Sequence, residues 1–490
     1  MARLRRILLA LVAVAVTATV LVVGRPRGGN DGAGGTGGTG GAAAAVPWAK
    51  ASAVAHVGRD HGGVQPADET AAADQPAAAA THEWTPPYHD TAIDACLDPA
   101  LATDDARRAC VEAVNAASPI YNVDRFPLPT GGAPIPGVVI VIPIYNRHEH
   151  LRFVLEALAR NAHINETTIL VSMDAVHDGV YSVIREFRAA RIKAVYHAYS
   201  ATFLKDVLWA QFLHRYQRTR HHYNWLWHYL YRTARDPEFL PPGGDVFFLE
   251  DDLFPLDDLY PAVRALHRLL PQVCPPTVCF CVNVGLPESR TPTQPRESWG
   301  LYSVNYSRYS SWGWGVNRAS MEPLFQNAKF YCDYNDYNHD WSLAHMAQQG
   351  HIGGACLNTY EARVRHFGLC GNHFHGTDCS AAHAVDALNS TVIAPHMAAI
   401  GSAEAAARAW DEVAQAPERV PSPADDGAFL ELPRARDRPP FWGNEGWTFG
   451  RIFDRDFRPG DPLYHDRARR PTTWTLSGHR DHCYHLLGVQ

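Results

Sequence analysis

From Gly137 to Ile144 the chain reads Gly-Val-Val-Ile-Val-Ile-Pro-Ile, an apolar, β-branched run without a polar position. A strand with one wet face alternates apolar and polar residues, so an unbroken run predicts a strand buried on both faces. Tyr145-Asn-Arg-His148 interrupts the run, and Leu151 to Leu158 then has helical apolar spacing. Thr168 to Ser172 is a second strand, ending at Asp174, and Val180 to Ala190 a second helix. Ile192 to Tyr196 is a third strand. This alternation predicts an α/β fold, a parallel sheet with helices on its faces, which binds ligands at the carboxyl ends of its strands. Asn146, Arg147 and Asp174 fall at those ends.

Val246 to Leu249 is another buried strand, and it runs directly into Glu250-Asp251-Asp252. Val278 to Val284 reads as a further strand and Trp312 to Asn317 as a shorter one. Residues 403–438 are rich in Ala, Pro and charge, as an insertion lying away from the chemistry would be; a helix is expected from about Ala403 to Val413, then a surface loop.

The N-terminus has a different pattern. Arg3, Arg5 and Arg6 precede an uncharged apolar run from Ile7 to Val23, long enough as a helix to span roughly 26 Å of a thin bilayer. A basic flank stays cytosolic, so residues 1–6 form a cytosolic tail, 7–23 a signal anchor, and the bulk of the chain lies in a lumen. A cleaved signal peptide is the alternative. Residues 24–86 are Gly-, Ala- and Thr-rich and bury too little to offset chain entropy, which makes them a disordered stem before a catalytic domain at 87–490. Asn165, Asn305 and Asn389 each begin an N-x-Ser/Thr triplet suited to a lumenal glycoprotein.

Composition narrows the class. With 44 basic against 51 acidic residues among 490, the net charge is -7, and no basic face for nucleic acid is implied. Aromatic residues reach 11%, including 13 Trp and 20 Tyr, as in proteins that stack on sugars or bases. Ten cysteines, an even number, suit disulfides in an oxidising compartment.

Three segments carry candidate chemistry. Three consecutive carboxylates at a strand end repel one another unless a cation sits among them, and a hard divalent ion with oxygen ligands and open positions for phosphate would do so. Arg220-His-His-Tyr-Asn-Trp225 packs cations and aromatics together, either as a contact for phosphate or a planar base or as an aromatic helix face against the core. Tyr331-Cys-Asp-Tyr-Asn-Asp-Tyr-Asn-His-Asp-Trp341 mixes carboxylates and aromatics ahead of a helix expected over Ser342 to Gln349. Such a mixture suits carbohydrate, and one carboxylate could be a general base, although Asp340 could instead cap the helix. His366 is followed by His373 and His375, which makes one metal ligand in this stretch reasonable.

These residues resemble the N-acetylglucosaminyltransferase II family. The resemblance runs from about Gly137 to Cys483 and rests on Ile142-Pro-Ile-Tyr-Asn-Arg147, Arg220-His-His222, Phe248-Leu-Glu-Asp-Asp252, Tyr331 to Trp341, His366 to Gly371, and Arg480-Asp-His-Cys483. It implies a GT-A, Rossmann-like nucleotide-sugar-binding fold with a mixed, mainly parallel sheet, Mn²⁺ as cofactor and UDP-GlcNAc as donor. The implied reaction is inverting transfer of GlcNAc, in β-1,2 linkage, to the α-1,6-arm mannose of an N-glycan, by a single-pass type II enzyme of the Golgi membrane. The alternatives are a related transferase acting on the α-1,3 arm or on O-linked mannose, and a non-catalytic lumenal glycan-binding protein.

The resemblance also implies residue roles. Pro143, Ile144, Tyr145, Asn146, Arg147 and Asp174 would hold the nucleoside, with Arg220, His221, His222, Tyr223 and Asn224 near the nucleotide. Asp252 and His366 would ligate the metal, Asp340 would be the catalytic base, Glu250 would lie near the reacting sugars, and Arg290 would contact the donor. The family's motif match pairs Cys332 with Cys483. Cys96–Cys110, Cys274–Cys279 and Cys370–Cys379 are expected as short-loop disulfides, and Cys281 and Cys356 remain for each other. Three sites depart from the family's pattern: Asp251 stands for Glu, His339 for Trp, and Tyr223-Asn224 for a pair of Trp.

Overall fold

The computed structural model describes residues 93, 95–96, 104–129, 137–174, 177–197, 210–233, 238–285, 300–334, 339–368, 380–422 and 479–489. The expected anchor at 7–23, the stem at 24–86, Arg290 and the Cys370–Cys379 pair lie outside them. Among the described residues no helix is long and apolar enough to cross a membrane.

The strands are β1 (Ile120–Tyr121), β2 (Val139–Ile144), β3 (Thr168–Met173), β4 (Arg191–Tyr196), β5 (Val246–Phe248) and β6 (Leu253–Pro255). They continue with β7 (Cys279–Asn283), β8 (Val304–Arg308), β9 (Trp314–Val316), β10 (Ala355–Thr359) and β11 (Val364–His366). Nine form one sheet in the order β1-β4-β3-β2-β5-β9-β7-β10-β8. The β4-β3-β2-β5 pairings are parallel, while β9 runs against both β5 and β7, and β7 is parallel to β10. Six of the nine strands therefore share one direction, and the mixed, mainly parallel α/β sheet expected from the sequence is present. β6 and β11 pair only with each other in a small antiparallel sheet.

The helices are α1 (Asp104–Ala117), α2 (His148–Ala159), α3 (Asp178–Glu186), α4 (Ala210–Tyr231), α5 (Leu259–Val273) and α6 (Arg318–Gln326). After them come α7 (Ala328–Asp333), α8 (His339–Gln348), α9 (Ala381–Leu388), α10 (Ala394–Ile400), α11 (Ala403–Ala414) and α12 (His479–Leu487).

Alternate residues of the central strands point to opposite faces and enter two separate cores. Ile140, Ile142, Ile169, Val171, Ile192 and Ala194 join one core, with apolar positions of α2, α3 and α5. Val139, Val141, Leu170 and Val195 join the other, with Tyr223 to Tyr231 of α4 and residues of α6, α7, α8 and α12. A run without polar positions is what two apolar faces demand. The helix expected near 403–413 is α11, and its Trp410 is buried in the first core. α8 begins at His339, three residues earlier than expected, so Asp340 sits in the first helical turn and is not the N-cap.

Four of the expected disulfides are formed: Cys96–Cys110, Cys274–Cys279, Cys281–Cys356 and Cys332–Cys483. Two of them reinforce elements near the strand ends. Cys281–Cys356 bridges adjacent residues of β7 and β10, and Cys332–Cys483 ties α12 to α7, just ahead of the Asp340 helix.

Candidate active site at the carboxyl ends of the parallel strands

β2 ends at Ile144, and Arg147, the residue before α2, reaches across to the turn that follows β5. Its Nη1 donates to Asp251 Oδ1 at 3.0 Å and to Asp252 Oδ2 at 2.9 Å. Burial raises Asp251 to about 7, against the opposing pull of Arg147. Burial would raise Asp252 as well, but the hydrogen bond and charge of His366, followed by Arg147, outweigh it and hold that carboxyl well below the usual carboxylate range. Glu250, half-buried beside them, is raised by burial and by the charges of Asp252, Asp340 and Asp251.

The small sheet explains how Asp252 and His366 meet. Antiparallel β6–β11 pairing sets Leu253 opposite His366, and Phe367 N–H donates to the Asp252 carbonyl at 2.9 Å. His366 Nε2 then lies 3.6 Å from Asp252 Oδ2, and the Trp312 ring stacks on the imidazole with centroids 5.5 Å apart. Gly368 closes over the same carboxylate: a Cβ there would stand 2.7 Å from Asp252 Cβ, so this approach requires glycine. Among the described residues Asp252 Oδ1 is buried with no hydrogen-bond partner. A buried carboxylate oxygen left in that state costs free energy unless a cation meets it, so Asp252 and His366 fit a divalent metal.

A second cluster forms at the ends of β3 and β4. Donor atoms of Asp174, His197 and His222 all lie within 4.8 Å of one another, so these side chains could also hold a metal. Their hydrogen bonds argue for a different use. His197 Nδ1 lies 2.8 Å from Asp174 Oδ1, and His222 Nε2 lies 2.6 Å from Ser172 Oγ, so each ring already has a partner. Burial lowers His197 to about 3 and His222 to about 4, which keeps both rings neutral at physiological pH. The two imidazoles stack at 5.2 Å with planes 9° apart. His197 was not singled out in the sequence, although it follows β4 as Asp174 follows β3, and that position was the available signal.

The residues of 220–224 separate on α4. His222 faces Asp174, with Nδ1 3.6 Å from Oδ1. Arg220 is fully buried and turns the other way, donating Nη1 to the Tyr334 carbonyl at 3.0 Å and Nη2 to the Tyr331 carbonyl at 2.6 Å. Its guanidinium also lies over the Tyr331 ring at 4.7 Å. His221 packs beside His482 of α12, and Asn224 Oδ1 accepts from Tyr331 Oη at 2.9 Å. Tyr223 reaches Glu250 Oε1 at 3.2 Å and stacks on His339. Of the two uses considered for the segment, the structure shows the aromatic helix face packed against the core. Pro143 and Ile144 complete β2, and Tyr145 stands out from its end, 47% exposed.

Asp340 is partly exposed in the first turn of α8, where the field of the helix N-terminus favours a carboxylate. It is near enough for its charge to raise Glu250, Tyr223 and Tyr309. The strand ends thus carry a metal-fitting pair and a buried Asp-His group, and α8 brings Asp340 close enough for its charge to act on Glu250.

Comparison with known proteins bears on this arrangement. The profile of the family described as N-acetylglucosaminyltransferase II (MGAT2) matches residues 108–209 and 213–403, more than half of the chain. The chain belongs to the N-acetylglucosaminyltransferase II family. Curated relatives named alpha-1,6-mannosyl-glycoprotein 2-beta-N-acetylglucosaminyltransferase include one from Arabidopsis thaliana, 24% identical over 265 residues, covering 48% of this chain and 59% of the relative. Those from Rattus norvegicus and Homo sapiens are 24% and 22% identical over 314 residues, covering 55% of this chain and 66% of each relative. The chain thus spans roughly six tenths of the length of these family members. A mannosyltransferase from Pyrobaculum calidifontis, solved with GDP-Man and Mn²⁺, is 13% identical, covering 69% of this chain and 90% of its own. Its TM-score of 0.28 is too low to bear on fold or function.

Proposed function

We propose that this protein is an inverting glycosyltransferase of GT-A architecture. It transfers GlcNAc from UDP-GlcNAc in β-1,2 linkage to the α-1,6-arm mannose of an N-glycan. The observation that carries the reading is the pairing of β6 with β11, which sets Asp252, with a buried oxygen that has no partner among the described residues, against His366 at the carboxyl end of β5. The names of the family relatives support the choice of donor and acceptor. A divalent cation such as Mn²⁺, held by Asp252 and His366, would supply positive charge against the donor's diphosphate.

The chain's own residues do the rest. Pro143 to Arg147 and Asp174 border the place for the nucleoside, and exposed Tyr145 offers a ring face for it. His197 and His222, kept neutral by burial, leave Asp174 as a hydrogen-bond acceptor. Asp340 accepts the proton of the mannose 2-hydroxyl as that oxygen bonds to the anomeric carbon. The carbon's bond to phosphate breaks on the opposite face and its electron pair leaves with UDP, so an α-linked donor yields a β product. Proton acceptance is the only acid-base step this requires.

The four disulfides support an oxidising lumen. With the apolar run at 7–23 they support a type II protein of the Golgi membrane.

The test is UDP release from UDP-GlcNAc with a panel of acceptors: an N-glycan already bearing GlcNAc on its α-1,3 arm, one with that arm bare, and an O-mannosyl peptide. Activity on the first alone is expected, abolished by EDTA and restored by Mn²⁺. Asp252→Ala should lose metal-dependent donor binding while remaining folded. Full donor affinity in EDTA refutes the metal pair, and glycan binding without UDP release refutes the transferase.

A further inference from the structure

We propose that Tyr223 is a positioning residue that supports both the acidic turn and the helix carrying Asp340, an assignment that rests on the transferase reading. Its ring is 1% exposed, and Phe248, Trp227 and Trp314 lie around it at 5.5 Å, 6.2 Å and 6.1 Å between centroids. Packing in such a core needs only a phenyl ring. The hydroxyl has a separate use, because it donates to Glu250 Oε1 at 3.2 Å and so fixes the carboxyl that opens the turn containing Asp251 and Asp252.

The ring face has a second use. It lies on the imidazole of His339, with centroids 3.7 Å apart and planes at 16°. His339 is the first residue of α8 and adjoins Asp340, and it is itself only 4% exposed. One side chain of α4 therefore sets the position of Glu250 through its hydroxyl and of the start of α8 through its face. The spacing between the metal-fitting turn and the proton acceptor depends on both contacts. Neither contact leaves Tyr223 facing open solvent, so it acts through Glu250 and His339.

Kinetics with UDP-GlcNAc, Mn²⁺ and the defined N-glycan acceptor test this. Tyr223→Phe keeps the ring and removes one hydrogen bond, so kcat should fall about ten-fold while KM for UDP-GlcNAc stays unchanged. Tyr223→Phe combined with Glu250→Ala should be no slower than Glu250→Ala alone, since alanine leaves the hydroxyl no acceptor and both changes break the one contact. His339→Ala should lower kcat, and His339→Phe, which can still stack, should recover it. Wild-type rate in Tyr223→Phe, a rise in donor KM alone, or additive losses in the double variant would overturn the positioning role. Urea unfolding of the same proteins needs no substrate: coupling there with none in kcat shows a contact that is merely structural, and also overturns it. Absence of UDP release by the wild-type protein on every acceptor is a different failure, that of the transferase reading itself.

Discussion

Arg363→Met should be among the most damaging single changes in this fold, because it strands a charge in the core. Arg363 and Asp258 side chains are both 0% exposed, with Arg363 Nε 2.8 Å from Asp258 Oδ2. The same carboxylate meets His396 Nε2 at 2.8 Å and Trp410 Nε1 at 3.0 Å. Arg363 also donates to the carbonyls of Leu301 and Glu361. Burial would raise Asp258, but the charge of Arg363 and the bonds from His396 and Trp410 lower it to about 2. Against an unfolded value near 3.9, that shift corresponds to roughly 2.5 kcal/mol of stability at neutral pH. The folded value is the depressed one, so this stability is present above pH ~4 and is lost as pH falls toward 2. Removing Arg363 leaves Asp258 ionised, buried and short of a partner, which costs about 3–5 kcal/mol. Urea unfolding at pH 7 measures it. The exposed Arg268–Asp411 pair supplies the control, since Arg268→Met should cost less than about 1 kcal/mol. Adding Asp258→Asn to Arg363→Met should recover part of the loss by deleting the stranded charge. A loss below about 1 kcal/mol for Arg363→Met, or no recovery in the double variant, would refute the argument. Arg363 immediately precedes β11, so weaker metal binding through His366 is expected alongside the loss of stability.

Two further outcomes are expected. Asp340→Asn keeps its shape but cannot accept a proton at neutral pH, so it should melt and bind UDP-GlcNAc and Mn²⁺ normally while transferring about 10²–10⁴-fold more slowly. Transfer within a few-fold of wild type would remove Asp340 as the base, and loss of donor binding would move it to the metal. The buried His197 and His222, lowered to about 3 and about 4, bind fewer protons folded than unfolded. Their stability is complete above pH ~6.5 and is lost as pH falls toward 4, so the urea midpoint should drop over that window and drop less steeply in His222→Gln. Equal slopes in the two proteins would show that His222 is not the cause.

How much of this was legible in the sequence depended on the range of each contact. β2, β3 and β5 were readable because burial on both faces writes itself as local, largely apolar runs, and β4 because Ile192, Ala194, Val195 and Tyr196 surround its one internal cation, Lys193. β6 and β11 were not, because each is three residues long and pairs with the other alone. That pairing joins Asp252 to His366, so the residue pattern offered the acidic triplet and the His-rich stretch as separate metal candidates, and only the family resemblance put the two together. The placement of Arg220 was hidden for the same reason. A cation beside two histidines reads as a phosphate contact until the carbonyls of Tyr331 and Tyr334 arrive from far along the chain to take it.

The departures from the family's pattern show what such distant contacts do to a reading made position by position. Tyr223 and His339 stand far apart in sequence, and by the family resemblance each is expected to stand where the family has Trp, so they register as two independent losses of an aromatic wall. In the fold they lie ring on ring at 3.7 Å. Their mutual contact puts two of the expected departures at a single place, where the hydroxyl of one has Glu250 as a partner, while Asn224 turns to Tyr331. The substitutions therefore count as one change to one wall. Changing either position alone to Trp would press a larger ring against a buried neighbour, whereas changing both together addresses the whole contact. Acceptor preference should accordingly follow the pair and not either residue singly.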